Sequence, residues 1–210
     1  MSEAGSQVPA RRGTVARRTR ETKIDLRLEL DRAPESRSVE LQVPDGFFGH
    51  MLDALARHAR FSIALQVEGD THVDLHHSVE DTGIALGEAL DQALGSRAGV
   101  ERFAHAYAPL DEALCRAVVD LSGRGSFHWQ SPDAMQHVWV TQTFPLTLVA
   151  DFFQAFAEHA RLTLHLDVLR GRNPHHVAEA CFKAVAVALR RAVARVPGEI
   201  TVPSTKGTLE

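Results

Sequence analysis

"HARFSIALQV", residues 58 to 67, occurs a second time as "HARLTLHLDV" at residues 159 to 168, an offset of 101. Further along, "DLHHSVEDTGIALGEALDQAL" at 74 to 94 shares the spacing His-His-x-x-Glu with "NPHHVAEACFKAVAVALR" at 173 to 190. In each copy an apolar helix ending in His-Ala-Arg precedes an alternating strand, a turn and the His-His-x-x-Glu helix. Similar segments in the same order indicate internal duplication, so the sequence predicts two similar halves.

Alternating runs upstream of each repeat predict the sheets. They are KIDLRLEL (23–30) and SVELQV (38–43) in the first half, and ALCRAVVDL (113–121) and MQHVWVTQ (135–142) in the second. A period of two is typical of half-buried strands. Because strands precede helices in each half, we predict an α/β fold of the two-layer α+β type. In each half the helices would cover one face of a mixed or antiparallel sheet.

The domain boundaries follow from composition and turns. We expect a flexible basic arm at residues 1–16, the first half at 17–97 and the second half, with a C-terminal tail, at 98–210. The halves meet near LGSRAGV (94–100), where two glycines allow a turn. Residues 1 to 23 hold six Arg or Lys against Glu3 and Glu21. Such a run is typical of a solvated or subunit-contacting segment, with nucleic-acid binding as the alternative.

Composition excludes several classes of protein. The chain has 210 residues, 44% of them hydrophobic, and a net charge of -4, so it can bury a substantial core. No apolar stretch approaches the ~18 residues of a membrane span, and the N-terminus lacks the apolar region of a secretory signal. Cys115 and Cys181 stand among apolar neighbours, which predicts buried, reduced thiols. We therefore predict a cytoplasmic protein with no membrane partner.

The repeated His-His-x-x-Glu motif points to metal binding. On a helix, His76 and His77 project about 100° apart with Glu80 between them, and His175, His176 and Glu179 repeat this arrangement. Because the two rings diverge, adjacent histidines suit two different ions. The simplest hypothesis has two metals, each bound by one histidine of one motif and a His-Glu pair of the other. Nitrogen and carboxylate ligands favour Mn²⁺, Fe²⁺ or Zn²⁺. The alternative is solvent-facing histidines that cap helix starts.

Further candidate residues follow from the same register. His50 stands eight residues before His58, and Asp151 stands eight residues before His159, so His50 and Asp151 are candidate ligands. For His58 and His159, a packed, hydrogen-bonded role competes with a substrate contact.

Basic residues beside small ones are the candidates for binding a phosphate group. They suit it through forked hydrogen bonds and free backbone N–H groups, although surface exposure is the simpler explanation for each. These candidates are Arg102, Arg124, Lys183 and Lys206.

Seven motifs in order, over about residues 17 to 208, resemble the imidazoleglycerol-phosphate dehydratase family of histidine biosynthesis. They are GFFGHML, HHSVEDTGIALGEAL, GVERF, LDEAL, DLSGR, NPHHVAEACFKA and VPSTKG. The resemblance implies a duplicated fold similar to the second domain of a ribosomal small-subunit protein. It also implies a homo-oligomer of 24 subunits built from trimers, with two Mn²⁺ ions per active site at subunit interfaces. The substrate would be imidazole glycerol phosphate, converted to imidazole acetol phosphate with loss of water.

The resemblance also implies roles for individual residues. The implied metal ligands are His50, His76, His77, Glu80, His175, His176 and Glu179. The implied phosphate and substrate contacts are Glu21, His58, Arg102, Arg124, Lys183, Ser204 and Lys206, the last two in the C-terminal tail. The expected catalytic residues are therefore Glu21 and His58 with the ligands His50, His77, Glu80, His176 and Glu179.

Two positions depart from the family pattern. The family has Asp where this chain has Gly49, so a side chain that could orient His50 is missing. The family has a histidine ligand where this chain has Asp151, which exchanges a nitrogen ligand for an oxygen ligand on a shorter side chain. We predict that Asp151 still binds metal.

The chemistry of the implied reaction explains why two metals are needed. The carbon that loses its proton bears no carbonyl, so we hypothesise that two Mn²⁺ ions stabilise an imidazolate whose electrons expel the hydroxyl group. A diazafulvene-like intermediate then loses the proton, with Glu21 as the acid/base group and His58 or a metal-bound water sharing that work. Two other functions are a weakened relative that only binds metal and imidazole-type ligands, and an RNA-binding module.

Overall fold

The computed structural model describes residues 10 to 209 and contains two similar halves. The first half consists of β1 (Arg12–Arg18), β2 (Thr22–Glu29), β3 (Val39–Gln42), α1 (Gly46–Ala59), β4 (Ser62–Gly69) and α2 (His76–Leu94). The second consists of β5 (Phe103–Leu110), β6 (Ala113–Asp120), β7 (Ser126–Gln130), α3 (Thr147–His159), β8 (Thr163–Arg170) and α4 (Pro174–Ala192). Both halves have the same order of strands and helices, as the repeats predicted.

The two sheets have the same topology. Their strand orders are β1-β2-β4-β3 and β5-β6-β8-β7. In each sheet the first two pairings are antiparallel and the last, β3 with β4 or β7 with β8, is parallel. The predicted class, helices packed on mixed sheets in two duplicated halves, is therefore confirmed.

Strand alternation decides which face of each sheet is buried. In β2, Ile24, Leu26 and Leu28 are buried, while Lys23 and Asp25 between them are exposed. This period of two removes one apolar face from water and leaves the charged face outside. Cys115 and Cys181 are buried free thiols, as predicted.

The repeated His-Ala-Arg sequence marks a helix end in both halves. Arg60 follows α1 with φ 61°, and Arg161 follows α3 closely with φ 52°. The left-handed conformation turns the chain sharply from helix into strand, and the Arg60 backbone N–H donates to the α1 carbonyl of Arg57 at 3.2 Å. The His-Ala-Arg sequence therefore marks a helix-to-strand turn in both halves.

The helices pack across the two halves. Helix α2 of the first half lies against α3 of the second, and α1 lies against α4. The approach of α2 to α3 is close because glycines face the partner helix: a Cβ atom on Gly87 would lie 2.6 Å from the backbone oxygen of Phe156. The two halves consequently share one core and bring the starts of α2 and α4 beside α3 and α1.

Gly87→Ala is expected to destabilise the fold by about 1–3 kcal/mol, because the added methyl group overlaps backbone that has no rotamer with which to relieve the clash. Denaturant unfolding measures this loss. Gly46→Ala is the matched control, since no atom lies within 4 Å of its new Cβ. Equal stability of the two variants would contradict the proposed close packing.

Two sequence predictions are corrected. Residues 12 to 16, assigned to the flexible arm, belong to β1, where Val15 is buried; residues 1 to 9 lie outside the described part of the chain. MQHVWVTQ (135–142) is not a strand. Its alternation arises because Val138 and Val140 pack against the core from a loop whose hydrogen bonds close locally, with the Val140 N–H donating to Phe144.

The link between the halves turns as expected, with Gly95 and Gly99 at φ 53° and 66°. Among the helices of residues 10 to 209, none combines the length and the apolar content needed to cross a bilayer.

Candidate metal and substrate site

Both repeated motifs stand at helix starts that other side chains cap. The Asn173 carboxamide oxygen accepts from the His175 N–H at 3.0 Å, and an Asp74 carboxylate oxygen accepts from the His76 N–H at 2.8 Å. These bonds satisfy backbone donors of the first helical turn. The histidine side chains are therefore not the caps, which argues against the capping alternative.

Helices α1 and α4 bring together His50, His175 and Glu179, here called the α1–α4 cluster. Nε2 of His50 and Nε2 of His175 each lie 3.4 Å from the same oxygen of Glu179. One ligand atom from each side chain lies within 4.8 Å of the others. Two imidazole nitrogens and a carboxylate form a donor set that fits Mn²⁺, Fe²⁺ or Zn²⁺.

Lys183 stabilises the ionised form of the Glu179 carboxylate in this cluster. Its ammonium group lies one turn after Glu179 and donates to the carboxylate at 2.6 Å. Burial alone would raise the pKa of Glu179, but the hydrogen bond and charge of Lys183, with a contribution from His50, outweigh it and lower that pKa. Glu179 is consequently ionised at neutral pH, as a metal ligand must be.

The corresponding α2–α3 cluster contains His76, Glu80 and Asp151. Nδ1 of His76 lies 3.5 Å from Asp151, and its Nε2 lies 3.8 Å from Glu80. The two carboxylates thus approach different nitrogens of one ring. Burial raises the pKa of Asp151; His76 opposes this effect, and Glu80 adds to it. The position that corresponds to Lys183 is Ile84, so no lysine at that position offsets the burial.

The second histidine of each motif points elsewhere. The ring centroids of His175 and His176 lie 6.1 Å apart with planes at 90°, and those of His76 and His77 lie 5.9 Å apart at 70°. His77 contacts Asp70 and His176 contacts Glu112 instead of the two clusters. Within one chain, therefore, the two motifs do not share ligands: each His-Glu pair joins a residue of α1 or α3.

Carboxylates flank both rings of these second histidines. Nδ1 of His77 lies 3.0 Å from Asp70, and Nδ1 of His176 lies 2.8 Å from Glu112. The hydrogen bond to Asp70 raises the pKa of His77. The pKa of Glu112 falls to about 2, chiefly because of its bond to His176. Sequence reasoning missed both carboxylates, although Asp70 stands in the EGD turn and Glu112 in LDEAL.

Two turns between paired strands place further carboxylates near Nε2 of His77 and of His176. Glu21, in the β1–β2 turn, lies 3.8 Å from Nε2 of His77, and Asp111, in the β5–β6 turn, lies 3.9 Å from Nε2 of His176. The sequence predicted Glu21 for the site and overlooked its counterpart Asp111. Glu21 is thus close to a candidate metal histidine.

His58 and its repeat partner His159 have different surroundings. Burial and the charges of Lys183 and Arg190 lower the pKa of His58, so its ring is neutral near pH 7. Lys183 also contacts Glu179 of the α1–α4 cluster. Nδ1 of His159 instead lies 2.9 Å from the Ala155 carbonyl, the packed arrangement that was one of its two predicted roles.

The candidate phosphate-binding residues lie in two separate regions of the chain's structure. Arg102 pairs with Asp120 at 2.8 Å and donates to the Pro203 carbonyl at 2.6 Å, which holds the tail carrying Ser204 and Lys206. Arg124 stands in the turn after β6, four residues beyond Asp120. These residues share one end of the second sheet, whereas Lys183 belongs with the α1–α4 cluster.

The two places are far apart. The Arg102 N–H donates to the Ala192 carbonyl at the end of α4, and Glu179 lies about 20 Å from that end along the helix. Within a single chain, therefore, about 20 Å separates the Arg102–Arg124 end from Glu179.

Comparisons with known proteins agree along the chain. A family model described as imidazoleglycerol-phosphate dehydratase matches residues 44–189. A protein of that name from Methylobacillus flagellatus is 48% identical over 200 residues, covering 95% of this chain and 98% of the relative. Another, from Albidiferax ferrireducens, is 47% identical over 210 residues, covering 100% of both chains.

Solved structures give the same result. The imidazoleglycerol-phosphate dehydratase of Staphylococcus aureus matches with a TM-score of 0.76 and 31% identity, covering 88% of this chain and 99% of that one. The corresponding protein of Pyrococcus furiosus, in complex with (S)-C348, also matches with a TM-score of 0.76 and 31% identity, covering 93% and 100%.

Proposed function

Because the chain belongs to the imidazoleglycerol-phosphate dehydratase family, hydro-lyases of histidine biosynthesis, we propose that it dehydrates imidazole glycerol phosphate with two Mn²⁺ ions per active site. The product is imidazole acetol phosphate. The observation that carries the proposal is the α1–α4 cluster, in which two imidazoles and an ionised carboxylate converge in a chain of this family. The cytoplasmic location stays a prediction from the sequence.

The proposed metal ligands are the residues of the two clusters together with the second histidines. They are His50, His76, His77, Glu80, Asp151, His175, His176 and Glu179. When bound, the two Mn²⁺ ions would supply electron withdrawal at the two nitrogens of the substrate ring. The hydrogen-bonded carboxylates and Lys183 hold the ligand side chains in place.

The acid/base work is assigned to Glu21. The hydroxyl group on the carbon attached to the ring takes up a proton and leaves as water, which gives a diazafulvene-like stage. The next carbon of the chain then loses its proton to the base, which gives the enol of the product. Glu21 lies within 3.8 Å of His77 and so stands beside the proposed reaction centre. His58, kept neutral by burial and Lys183, is suited to accept a proton.

The active site is proposed to form between subunits. Imidazole glycerol phosphate joins its ring and its phosphate through three carbons, a span of less than about 10 Å. The candidate phosphate residues Arg102, Arg124, Ser204 and Lys206 lie about twice as far from Glu179 of the same chain. One substrate can therefore meet both groups if they come from different copies, which supports a homo-oligomer, proposed as 24 subunits built from trimers.

A turnover assay with metal titration tests the function. Chelator-treated protein is expected to be inactive and to regain dehydration of imidazole glycerol phosphate on addition of Mn²⁺. Glu179→Gln should abolish this recovery, whereas Glu158→Gln, which removes an exposed carboxylate bonded to Gln154, should retain it. A chain that binds two metals and substrate without turnover would instead be the weakened relative.

The RNA-binding alternative loses support from the basic N-terminal segment. Three of its five described arginines are paired with carboxylates: Arg11 with Asp31 at 2.6 Å, Arg17 with Asp81 at 2.8 Å, and Arg18 with Asp25 at 2.7 Å. Paired charges attract phosphate less than free ones. We expect no salt-dependent RNA binding in a filter-binding assay.

Chelation is expected to loosen the oligomer. If metals bridge ligands of different subunits, their removal leaves repelling or unpaired groups at the interface, so particle mass and thermal stability should both fall. Light scattering with and without chelator measures the mass, and adding back Mn²⁺ is the control. A large particle whose mass and melting temperature ignore chelator would count against bridging metals.

A further inference from the structure

Each half of the molecule places a carboxylate against Nδ1 of the second histidine of its motif. We propose that Asp70 and Glu112 are positioning residues that fix His77 and His176 in the tautomer with the proton on Nδ1, so that Nε2 keeps its lone pair. The inference rests on the proposed function, in which these histidines bind metal. It adds two residues that act through the ligands without touching metal or substrate.

Hydrogen-bond chemistry dictates the tautomer. An ionised carboxylate only accepts hydrogen bonds, so a ring nitrogen at 2.8 Å from Glu112 or 3.0 Å from Asp70 must be the donor. In a neutral imidazole with one proton on Nδ1, the free lone pair is on Nε2. A carboxylate at Nδ1 also raises the basicity of the ligating nitrogen and fixes the plane of the ring.

Duplication does not explain the two carboxylates, because they come from different places in the fold. Asp70 directly follows β4, and the repeat offset places Gly171 at the corresponding position after β8. Glu112 comes instead from the β5–β6 turn. Each half thus reaches the same arrangement from a different position, as expected if the carboxylate–Nδ1 bond itself is what the site requires.

Backbone groups hold the carboxylate of Glu112 and the segment of chain that carries Asp70. The other oxygen of Glu112 accepts from the N–H groups of Asn173 at 2.8 Å and Arg172 at 3.3 Å, so it ties the start of α4 to the β5–β6 turn. The Asp70 N–H donates to the Glu21 carbonyl at 3.1 Å. Glu112 therefore cannot turn away from His176 without losing its bonds to Asn173 and Arg172. For Asp70 the bond fixes the backbone position, from which both carboxylate oxygens lie within 3.2 Å of Nδ1 of His77.

This arrangement makes Glu112→Gln an informative variant. The two backbone donors retain the carboxamide oxygen as their acceptor, which turns the NH₂ group toward Nδ1 of His176. Because NH₂ donates, Nδ1 must then accept, and the ring proton moves to Nε2, the nitrogen proposed to bind metal. The variant thereby keeps the hydrogen bonds from Arg172 and Asn173 at the start of α4 and reverses the tautomer of His176. Asp70→Asn tests the first half.

The experiment has two readouts on the full chain. First, magic-angle-spinning NMR of chelator-treated, sedimented protein with ¹⁵N-labelled histidine reports which ring nitrogen carries the proton, with His77→Gln and His176→Gln assigning the signals. Second, calorimetric titration with Mn²⁺ reports affinity. Glu68→Gln is the matched control, because it removes a carboxylate two residues from Asp70 that pairs only with exposed Lys23 in the described contacts.

We expect Nδ1–H at His77 and His176 in the parent, Nε2–H at His176 in Glu112→Gln, and a fall of about 10 to 100-fold in Mn²⁺ affinity in that variant and in Asp70→Asn. Glu68→Gln should match the parent in both readouts. Unchanged tautomers, or variants that bind Mn²⁺ as tightly as the parent, would overturn the positioning role. A parent that binds no Mn²⁺ while the tautomers still shift would refute the proposed metal function and sustain the tautomer control.

Discussion

Glu179→Gln and Arg124→Ala chains are each expected to be nearly inactive alone and to recover about a quarter of the parent's turnover when co-assembled in equal amounts. The reason is that Glu179 and Arg124 lie at opposite ends of the second half, too far apart for one substrate to reach both in a single chain. If the site forms between subunits, as proposed, each active site of a mixed particle draws its metal cluster from one copy and its phosphate residues from another. Each contribution is intact in half of the cases.

The measurement uses two variants co-expressed with different tags and purified through both. Co-assembly of Glu179→Gln with His175→Ala is the matched control, because both changes damage the same α1–α4 cluster and should give no recovery. Arg124 is a suitable partner because it stands in the turn after β6, at the opposite end of the second half from Glu179. Mixed particles of the correct ratio without recovered turnover would show that both groups serve a site within one chain.

Asp151→Ala is expected to lower metal affinity and turnover together by about 10 to 100-fold, whereas Asp151→His should largely preserve both. Asp151 occupies the position in the α2–α3 cluster that His50 occupies in the α1–α4 cluster, and it already lies 3.5 Å from His76. A histidine there offers the nitrogen donor that the family pattern has. A carboxylate on a shorter side chain favours Mn²⁺, which accepts oxygen ligands readily, over softer ions.

Metal titration with Mn²⁺ and Zn²⁺, followed by turnover, separates the possible roles of Asp151. Gln154→Ala, an exposed change on the same helix, is the control. If Asp151→Ala binds two metals per chain as tightly as the parent, Asp151 is only a polar residue near the start of α3. If Asp151→Asn preserves affinity as well as Asp151→His does, the carboxylate charge is not required at this site.

The two halves, the buried face of β2 and the helix starts that carry the His-His-x-x-Glu motifs were predictable from the sequence. Alternation in KIDLRLEL gave β2, because burial of one sheet face imposes a period of two. The His-His-x-x-Glu spacing placed four histidines at two helix starts, because helical geometry fixes how neighbouring side chains diverge. Local periodicity also misled at MQHVWVTQ, where a loop packed against the core has alternating burial without a neighbouring strand.

Only the tertiary structure decided which side chains meet. Because α1 packs on α4, His50 lies beside Glu179, and because α2 packs on α3, Asp151 lies beside His76. More than 70 residues of chain separate the two residues of each pair. Glu112 reaches His176 because the β5–β6 turn lies beside the start of α4. The sequence by itself determined the repeat, which appears when segments about 100 residues apart are compared, and the chemical type of each candidate ligand. Contacts between distant residues depend on how helices and sheets pack, which no local pattern records.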